Sequence, residues 1–292
     1  MKVLVTGVTG QLGYDVMREL KRREVDAVGV TRREMPLTDA AACAAFIEHV
    51  RPAAVVHCAA YTAVDQAEDE PELCRRVNAE ATGAIAAACR RVGAKLLYIS
   101  TDYVFPGEGD TPYEVDAATG PKNVYGASKL AGEQAVRAAL AEHFIVRVSW
   151  VFGVHGGNFI RTMLNLAKKH DRLTVVADQI GSPTYTADLA RLLADMAESR
   201  RYGTYHATNE GFCSWYDLAA ETFRQRGLSV KVEPVSSAEY PTKAVRPHNS
   251  RLSKASLDRA GFHRLPPWPD AVRRYLAELS AMGEGAGRFD RK

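Results

Sequence analysis

The chain has 292 residues, 46% hydrophobic and 25% charged, enough to bury a large core as one large domain or as two lobes. Its formal net charge of +3 is spread out, with basic pairs such as Arg32-Arg33 and Lys168-Lys169 but no run that could follow a phosphate backbone, so nucleic acid is excluded as a partner. Five scattered cysteines without a CxxC pair argue against a disulfide framework or zinc site, and the start "MKVLVTG" carries no apolar targeting segment; a cytoplasmic protein with reduced thiols and no membrane partner is expected.

In chain order, the β-branched runs "KVLVT", "VDAVGV", "AAVVHC", "KLLYIS" and "FIVRVS" alternate with segments of helical period at about 11–23, 39–50, 71–92, 123–142 and 158–170. This alternation predicts βαβ units and an α/β fold with a parallel sheet covered on both faces. Past Trp150 the rhythm loosens into "LTVVAD", a helix near 186–200, "GTYHAT", a helix near 214–227, "VKVEPV" and a Pro-rich, mixed C-terminal stretch. The expected division is a dinucleotide-binding domain over 1–150, with segments near 183–212 returning to it. A smaller substrate-binding lobe follows over 151–182 and 213–282, and the tail at 283–292 lacks apolar periodicity.

The first strand runs into "VTGVTGQLG", which spaces Gly7, Gly10 and Gly13 three apart at a strand-to-helix turn, with Gln11 and Leu12 in the same turn. Glycine permits a tight turn and close approach to a pyrophosphate, and the N-terminus of the following helix favours that anion. The fold predicted is therefore a Rossmann-type, doubly wound parallel sheet. Its crevice logic places further cofactor contacts at later strand ends: Ala59, Ala60 and Thr62 after the third, Ser100 and Thr101 after the fourth.

The end of the second strand speaks to the choice of cofactor. An NAD-selective site carries an acid there, whereas "AVGV" is followed by Thr31, Arg32 and Arg33, with Glu34 only afterwards. A guanidinium can hold a 2′-phosphate by two parallel hydrogen bonds, so NADPH is the preferred cofactor, with NADH also accepted.

Thr101 and Tyr125 are separated by "DYVFPGEGDTPYEVDAATGPKNV", a connection of the length and composition of a lid or binding loop. Tyr125 and Lys129 in "YGASK" stand four apart on a helix, so both heads can meet one ligand atom. A hydroxyl, a Tyr–Lys pair and a dinucleotide cradle together describe carbonyl–alcohol hydride exchange. Tyr125 passes the proton, and the Lys129 ammonium and the positive charge of the nicotinamide are expected to bring the phenol pKa toward working pH.

On these motifs the chain resembles the extended short-chain dehydrogenases/reductases. Within them it resembles the dTDP-4-dehydrorhamnose reductase family, through "GQLG" at 10–13, "AAYTAVDQAEDEPE" at 59–72, "STDYVFPGEGDTPY" at 100–113, "NVYGASKLAGE" at 123–133, "RVSWVFG" at 147–153, "DQIGSPTYT" at 178–186 and "RPHNSRL" at 246–252. The resemblance implies reduction of the 4-keto group of a thymidine-diphosphate 6-deoxyhexose to dTDP-L-rhamnose. It makes Thr101, Tyr125 and Lys129 the catalytic set, brings Asp102, Tyr103 and Trp150 to the sugar, and matches Asn78 to an Asn of the superfamily's catalytic set. Arg246 can reach the diphosphate, with a structural salt bridge as the other reading, just as Trp150 has lobe packing as its alternative. His57 is read as a packed, hydrogen-bonded side chain, since no second ligand stands at metal spacing.

Two departures stand out. Pro36 replaces an Asp usual near the adenosine, and Ala187 stands where some members carry a Glu at an intersubunit cation site for which Asp15 remains. A bound magnesium ion is thus in doubt, and no metal ligand is assigned. The partners expected are a small sugar nucleotide and, as a homodimer, a second copy of the chain. Two other readings are a 4,6-dehydratase or 4-epimerase, and a non-catalytic subunit like that of methionine adenosyltransferase. Tyr103 stands where a dehydratase needs a carboxylate base, and the intact Thr101, Tyr125 and Lys129 set argues for chemistry.

Overall fold

The computed structural model describes residues 1–283, so the tail expected beyond Gly283 lies outside the described residues. The five apolar runs become β1 (Val3–Thr6), β2 (Ala27–Val30), β3 (Ala54–His57), β4 (Lys95–Thr101) and β5 (His143–Val148). With the strand Gly203–His206 they form one parallel sheet in the order β2-β1-β3-β4-β5 and then Gly203–His206.

Alternation along each strand divides the core between two faces. Val3, Val5, Val56, Leu97 and Phe144 pack with Val16, Leu189 and Leu193 on one side. Leu4, Val55, Leu96 and Ile145 pack with Ile47, Ile85 and Val136 on the other. Helices α1 (Gln11–Arg22) and Thr186–Glu198 cover the first face and contact each other. Helix α2 (Ala40–Val50), the helix Ala81–Val92 and the helix Val124–Ala139 cover the second. Because β2 and β3 flank β1 on opposite sides, the chain reverses direction there, and a crevice opens outside the carboxyl ends of β1 and β3.

The helix expected over 71–92 is interrupted. It runs as Pro71–Arg75, a π-helical turn Arg76–Glu80 and Ala81–Val92. Asn78 explains the break: its side chain accepts from Tyr61 N at 2.9 Å and donates to Tyr61 O at 3.0 Å and to Ser128 Oγ at 3.0 Å. The carbonyl of Asn78 accepts instead from the Thr82 and Tyr98 hydroxyls. The Pro-rich C-terminal stretch contains a helix that periodicity does not show, Trp268–Ala281. Proline in its first turn starts rather than breaks it, and Val272, Tyr275 and Leu276 pack against Phe152, Tyr185 and Leu218.

A strap of residues 236–248 crosses from the C-terminal part to the segment after β3. Lys243 pairs with Asp69, Ala244 N donates to Asp65 Oδ1 at 3.0 Å, and Asn123 Nδ2 donates to Val245 O at 2.8 Å. No helix among the described residues is long and apolar enough to cross a membrane.

Candidate active site

The turn after β1 is built from its glycines. Gly7 has φ +70°, and a Cβ on it would lie 2.9 Å from Ala59 N and Cα, so the β1 and β3 loops meet at the crevice. A Cβ on Gly13 would lie 2.3 Å from the carbonyl oxygen of Gly7, closing the turn against the helix start. Helix α1 begins behind Gly10 with no side-chain cap, leaving its first N–H groups for an anion. The Gln11 side chain faces away, accepting from Gly153 N at 2.8 Å and Asn158 Nδ2 at 3.1 Å, and Leu12 is buried in the core. Ala59 and Ala60 line the crevice side half-buried, and Thr62 is exposed. Backbone cannot yield at Gly13 without opening this turn, so Gly13→Ala is expected to weaken NADPH binding by at least about tenfold, roughly 1.4 kcal/mol. Titration of NADPH fluorescence measures this, and unchanged affinity would show that the turn does not carry the pyrophosphate.

His57, at the end of β3, is 1% exposed; its Nδ1 lies 2.8 Å from Thr6 Oγ1 and its Nε2 3.3 Å from Thr82 Oγ1. Burial drives its pKa down to about 3, so the ring is neutral. Because Ala59 N donates to Thr6 Oγ1 at 3.1 Å, this packed histidine ties the two crevice loops together.

Thr101 ends β4, Tyr125 opens the helix Val124–Ala139 behind an Asn123 side-chain cap, and Lys129 follows one turn on. Lys129 is 2% exposed; its Nζ donates to Ile99 O at 2.6 Å and lies 4.0 Å from the Tyr98 ring centroid. Burial lowers its pKa from 10.5 to about 7, against the favourable charge of Glu133. Among the protein's own groups the balance on the Tyr125 phenol is upward. Burial raises its pKa, the nearby Thr101 hydroxyl opposes the rise and the Asp102 carboxylate adds to it, while the ammonium is directed at Ile99 and Tyr98. The phenol therefore holds its proton at neutral pH. Ser100, expected beside the cofactor, points the other way and donates to Glu133 Oε1 at 2.6 Å, as strand alternation requires.

Asp102 is 3% exposed, and its Oδ1 accepts from Thr101 Oγ1 at 2.9 Å. Its Oδ2 has no hydrogen-bond partner among the described residues, and burial raises the carboxyl pKa to about 6, with the Ser250 and Thr101 hydroxyls opposing the rise. The Tyr103 ring meets Tyr125 edge-on at 5.6 Å and lines a cleft of about 220 Å³ with Pro106, Lys122, Arg246 and His248. Arg246 donates to Asp65 Oδ2 at 2.6 Å and lies 3.4 Å from the Tyr103 hydroxyl, so in this state it is in a salt bridge at the cleft wall. Trp150 has φ +49°, a left-handed conformation uncommon for an aromatic residue, and stacks on Trp215 at 3.7 Å. No sequence motif surrounds Trp215, so only the fold shows it as the partner of Trp150. Glu133 could have been found from the four-residue spacing it shares with Tyr125 and Lys129.

At the far end of the crevice Arg32 and Arg33 are exposed, and neither guanidinium is hydrogen-bonded to another described residue. The Glu34 carboxylate turns back onto Thr31, accepting from its N at 2.8 Å and from its Oγ1 at 2.5 Å. The Pro36 carbonyl serves the entry to α2, accepting from Asp39 N at 3.0 Å. Asp15 is held by the Thr186 hydroxyl and by Arg18 at 2.9 Å, and Arg18 also reaches Glu278 at 2.5 Å, so a guanidinium neutralises this acidic pair. No group of three or more metal-ligating side chains gathers among the described residues.

Residues 1–281 match the model of the RmlD substrate binding domain. The dTDP-4-dehydrorhamnose reductase of Streptomyces griseus is 45% identical over 283 residues, covering 94% of this chain and 93% of its own. A crystal structure of a dTDP-4-dehydrorhamnose reductase from Clostridium acetobutylicum superposes with a TM-score of 0.94 at 40% identity, covering 96% of this chain and 100% of the other. The dTDP-4-dehydrorhamnose reductase from Bacillus anthracis, in complex with NADP, superposes with a TM-score of 0.92 at 42% identity, covering 95% and 99%. The chain thus belongs to the RmlD substrate binding domain family, alongside these dTDP-4-dehydrorhamnose reductases.

Proposed function

We propose that this chain reduces the 4-keto group of a dTDP-4-dehydro-6-deoxy-L-hexose to dTDP-L-rhamnose with NADPH. The observation that carries the reading is the approach of the Tyr125 phenol to the Thr101 hydroxyl, with Lys129 one turn on in the same helix, in a chain with the relatives just described. The cradle at Gly7, Gly10 and Gly13 fits a pyrophosphate, because a side chain at Gly7 or Gly13 would collide with backbone and α1 presents uncapped N–H groups. Bound NADPH supplies a hydride to the carbonyl carbon. Tyr125, protonated at neutral pH, gives its proton to the carbonyl oxygen as the C–O double bond becomes a single bond. Thr101 holds that oxygen, exchanging its bond to Asp102 for one to the substrate. Lys129 holds the nicotinamide ribose and stabilises the phenolate left on Tyr125. In this reading residues 1–150 with 183–212 bind the cofactor, and 151–182 with 213–282 bind the sugar nucleotide. Asp102, Tyr103 and Trp150 face the sugar, and Arg246 leaves Asp65 for the diphosphate. The cytoplasm is the compartment that holds both reactants.

The test is NADPH consumption with dTDP-4-keto-6-deoxy-L-lyxo-hexose and identification of the product by NMR. Absence of turnover would defeat the reading and favour a binding subunit.

NADPH preference rests on Arg32, with Arg33 as substitute. With Glu34 engaged by Thr31, β2 ends without an acid aimed at a ribose 2′-hydroxyl, and the exposed guanidinium groups suit a 2′-phosphate. An Arg32→Ala, Arg33→Ala double variant is expected to lower the ratio of kcat/KM for NADPH over NADH by roughly tenfold, the worth of one charge-assisted hydrogen bond. An unchanged ratio, or a wild type that prefers NADH, would overturn this assignment.

A further inference from the structure

Positions 125, 129 and 133 share one face of the helix Val124–Ala139, and the third of them is a carboxylate with no exposure to solvent. Glu133 Oε1 accepts from Ser100 Oγ at 2.6 Å and Arg147 Nε at 2.8 Å, and Oε2 accepts from the terminal nitrogens of Arg147 at 2.8 Å and Arg137 at 2.9 Å. Arg147, in β5 and 2% exposed, donates its remaining nitrogen to Val115 O at 3.0 Å and lies 3.4 Å from His206 Nε2. Its guanidinium sits 4.9 Å from the Phe105 ring centroid. These contacts reach each part of the site: Ser100 precedes Thr101, Val115 and Phe105 belong to the loop at the cleft, and Glu133 rides on the helix of Tyr125 and Lys129.

A buried ion pair is weak evidence for stability, because apolar residues of the same volume often serve a core as well or better. Its value here is geometric. We infer that Glu133 and Arg147 are positioning residues for the reduction, fastening the helix of Tyr125 and Lys129 to the strand end of Thr101 and to the loop over the cleft. The inference rests on the proposed function for the identity of the reaction, but it also predicts a property of cofactor binding that needs no sugar substrate.

That property comes from charge. The groups facing Lys129 are Tyr98 in β4, His57 and Cys58 at the end of β3, Cys74 in the helix Pro71–Arg75, and Glu133 on its own helix. Glu133 is the carboxylate among them, and it supports the ammonium against the burial that lowers it to about 7. With a neutral amide at 133, Lys129 loses its proton at lower pH.

Glu133→Gln is expected to lower kcat by roughly 10²-fold, the scale of a small misplacement of reacting groups, and to move the pH at which NADPH affinity declines toward acid. In the Glu133→Gln, Arg147→Met double variant the melting temperature should recover toward wild type while kcat and the shifted midpoint do not. That separates positioning from folding if the single variant is unstable. NADPH titration by fluorescence across pH reads the midpoint, and steady-state assays read kcat and KM. Wild-type kcat in either variant, or an unmoved midpoint, would overturn the inference. A wild-type enzyme inert toward the sugar nucleotide would instead overturn the proposed reaction, with the midpoint still deciding the role of Glu133.

Discussion

Tyr125→Phe is expected to lower kcat by about 10²–10⁴-fold while leaving NADPH affinity near wild type, the range typical for removal of a general acid. The substitution keeps the ring that meets Tyr103 edge-on at 5.6 Å and deletes only the hydroxyl. Neither Thr101 nor Lys129 is free to replace it. The Thr101 hydroxyl is donated to Asp102 at 2.9 Å, and Lys129 points at Ile99 O, 2.6 Å away. Burial raises the phenol pKa, so the wild-type residue is a loaded proton donor, suited to reduction rather than to the reverse oxidation. Steady-state NADPH oxidation measures the loss, and fluorescence titration measures the affinity. Turnover like that of wild type would show that the proton comes from elsewhere.

The sheet was legible in the sequence because all five β-branched runs are strands, four of them largely buried and β2 the half-buried edge, so periodicity and composition agree. The glycine turn was legible for a similar reason, since its spacing answers a backbone requirement that the contacts of Gly7 and Gly13 display. What escaped were features set by tertiary partners. The π-helical turn at Asn78 depends on Tyr61, seventeen positions earlier, and no local propensity encodes it. The C-terminal helix hid behind Pro266 and Pro267, which precede it, and Pro269, which lies in its first turn. Spacing shows a Lys near Tyr125 but not the burial that raises its phenol, because that burial comes from the folded surroundings. The pairing of Arg246 with Asp65 likewise joins residues far apart in the chain, so its motif showed a cation without showing which anion holds it.

Lys129→Met is expected to abolish reduction, weaken NADPH binding and yet raise the melting temperature, a combination that follows from where the ammonium sits. Its side chain is 2% exposed, and its compensations are one bond to Ile99 O and a 4.0 Å approach to the Tyr98 ring. Those do not restore the lost hydration, since the pKa falls from 10.5 to about 7. The unfolded chain therefore binds more protons than the folded one between these values, and stability rises with pH across that window. The destabilisation by Lys129 is fully present below about pH 7 and fades as pH approaches 10.5. Methionine fills the same stem volume without a charge, so its gain in melting temperature should be largest at or below pH 7 and should vanish toward pH 10.5. Function would be lost because the group removed is the one assigned to the nicotinamide ribose and to the phenolate of Tyr125. Thermal melts of both proteins from pH 6 to 10, with NADPH titration alongside, test this directly. A variant that melts below wild type at pH 7, or a difference that grows with pH, would mean that the ammonium is well compensated in the fold, and that Lys129 is not held in place against a cost in stability.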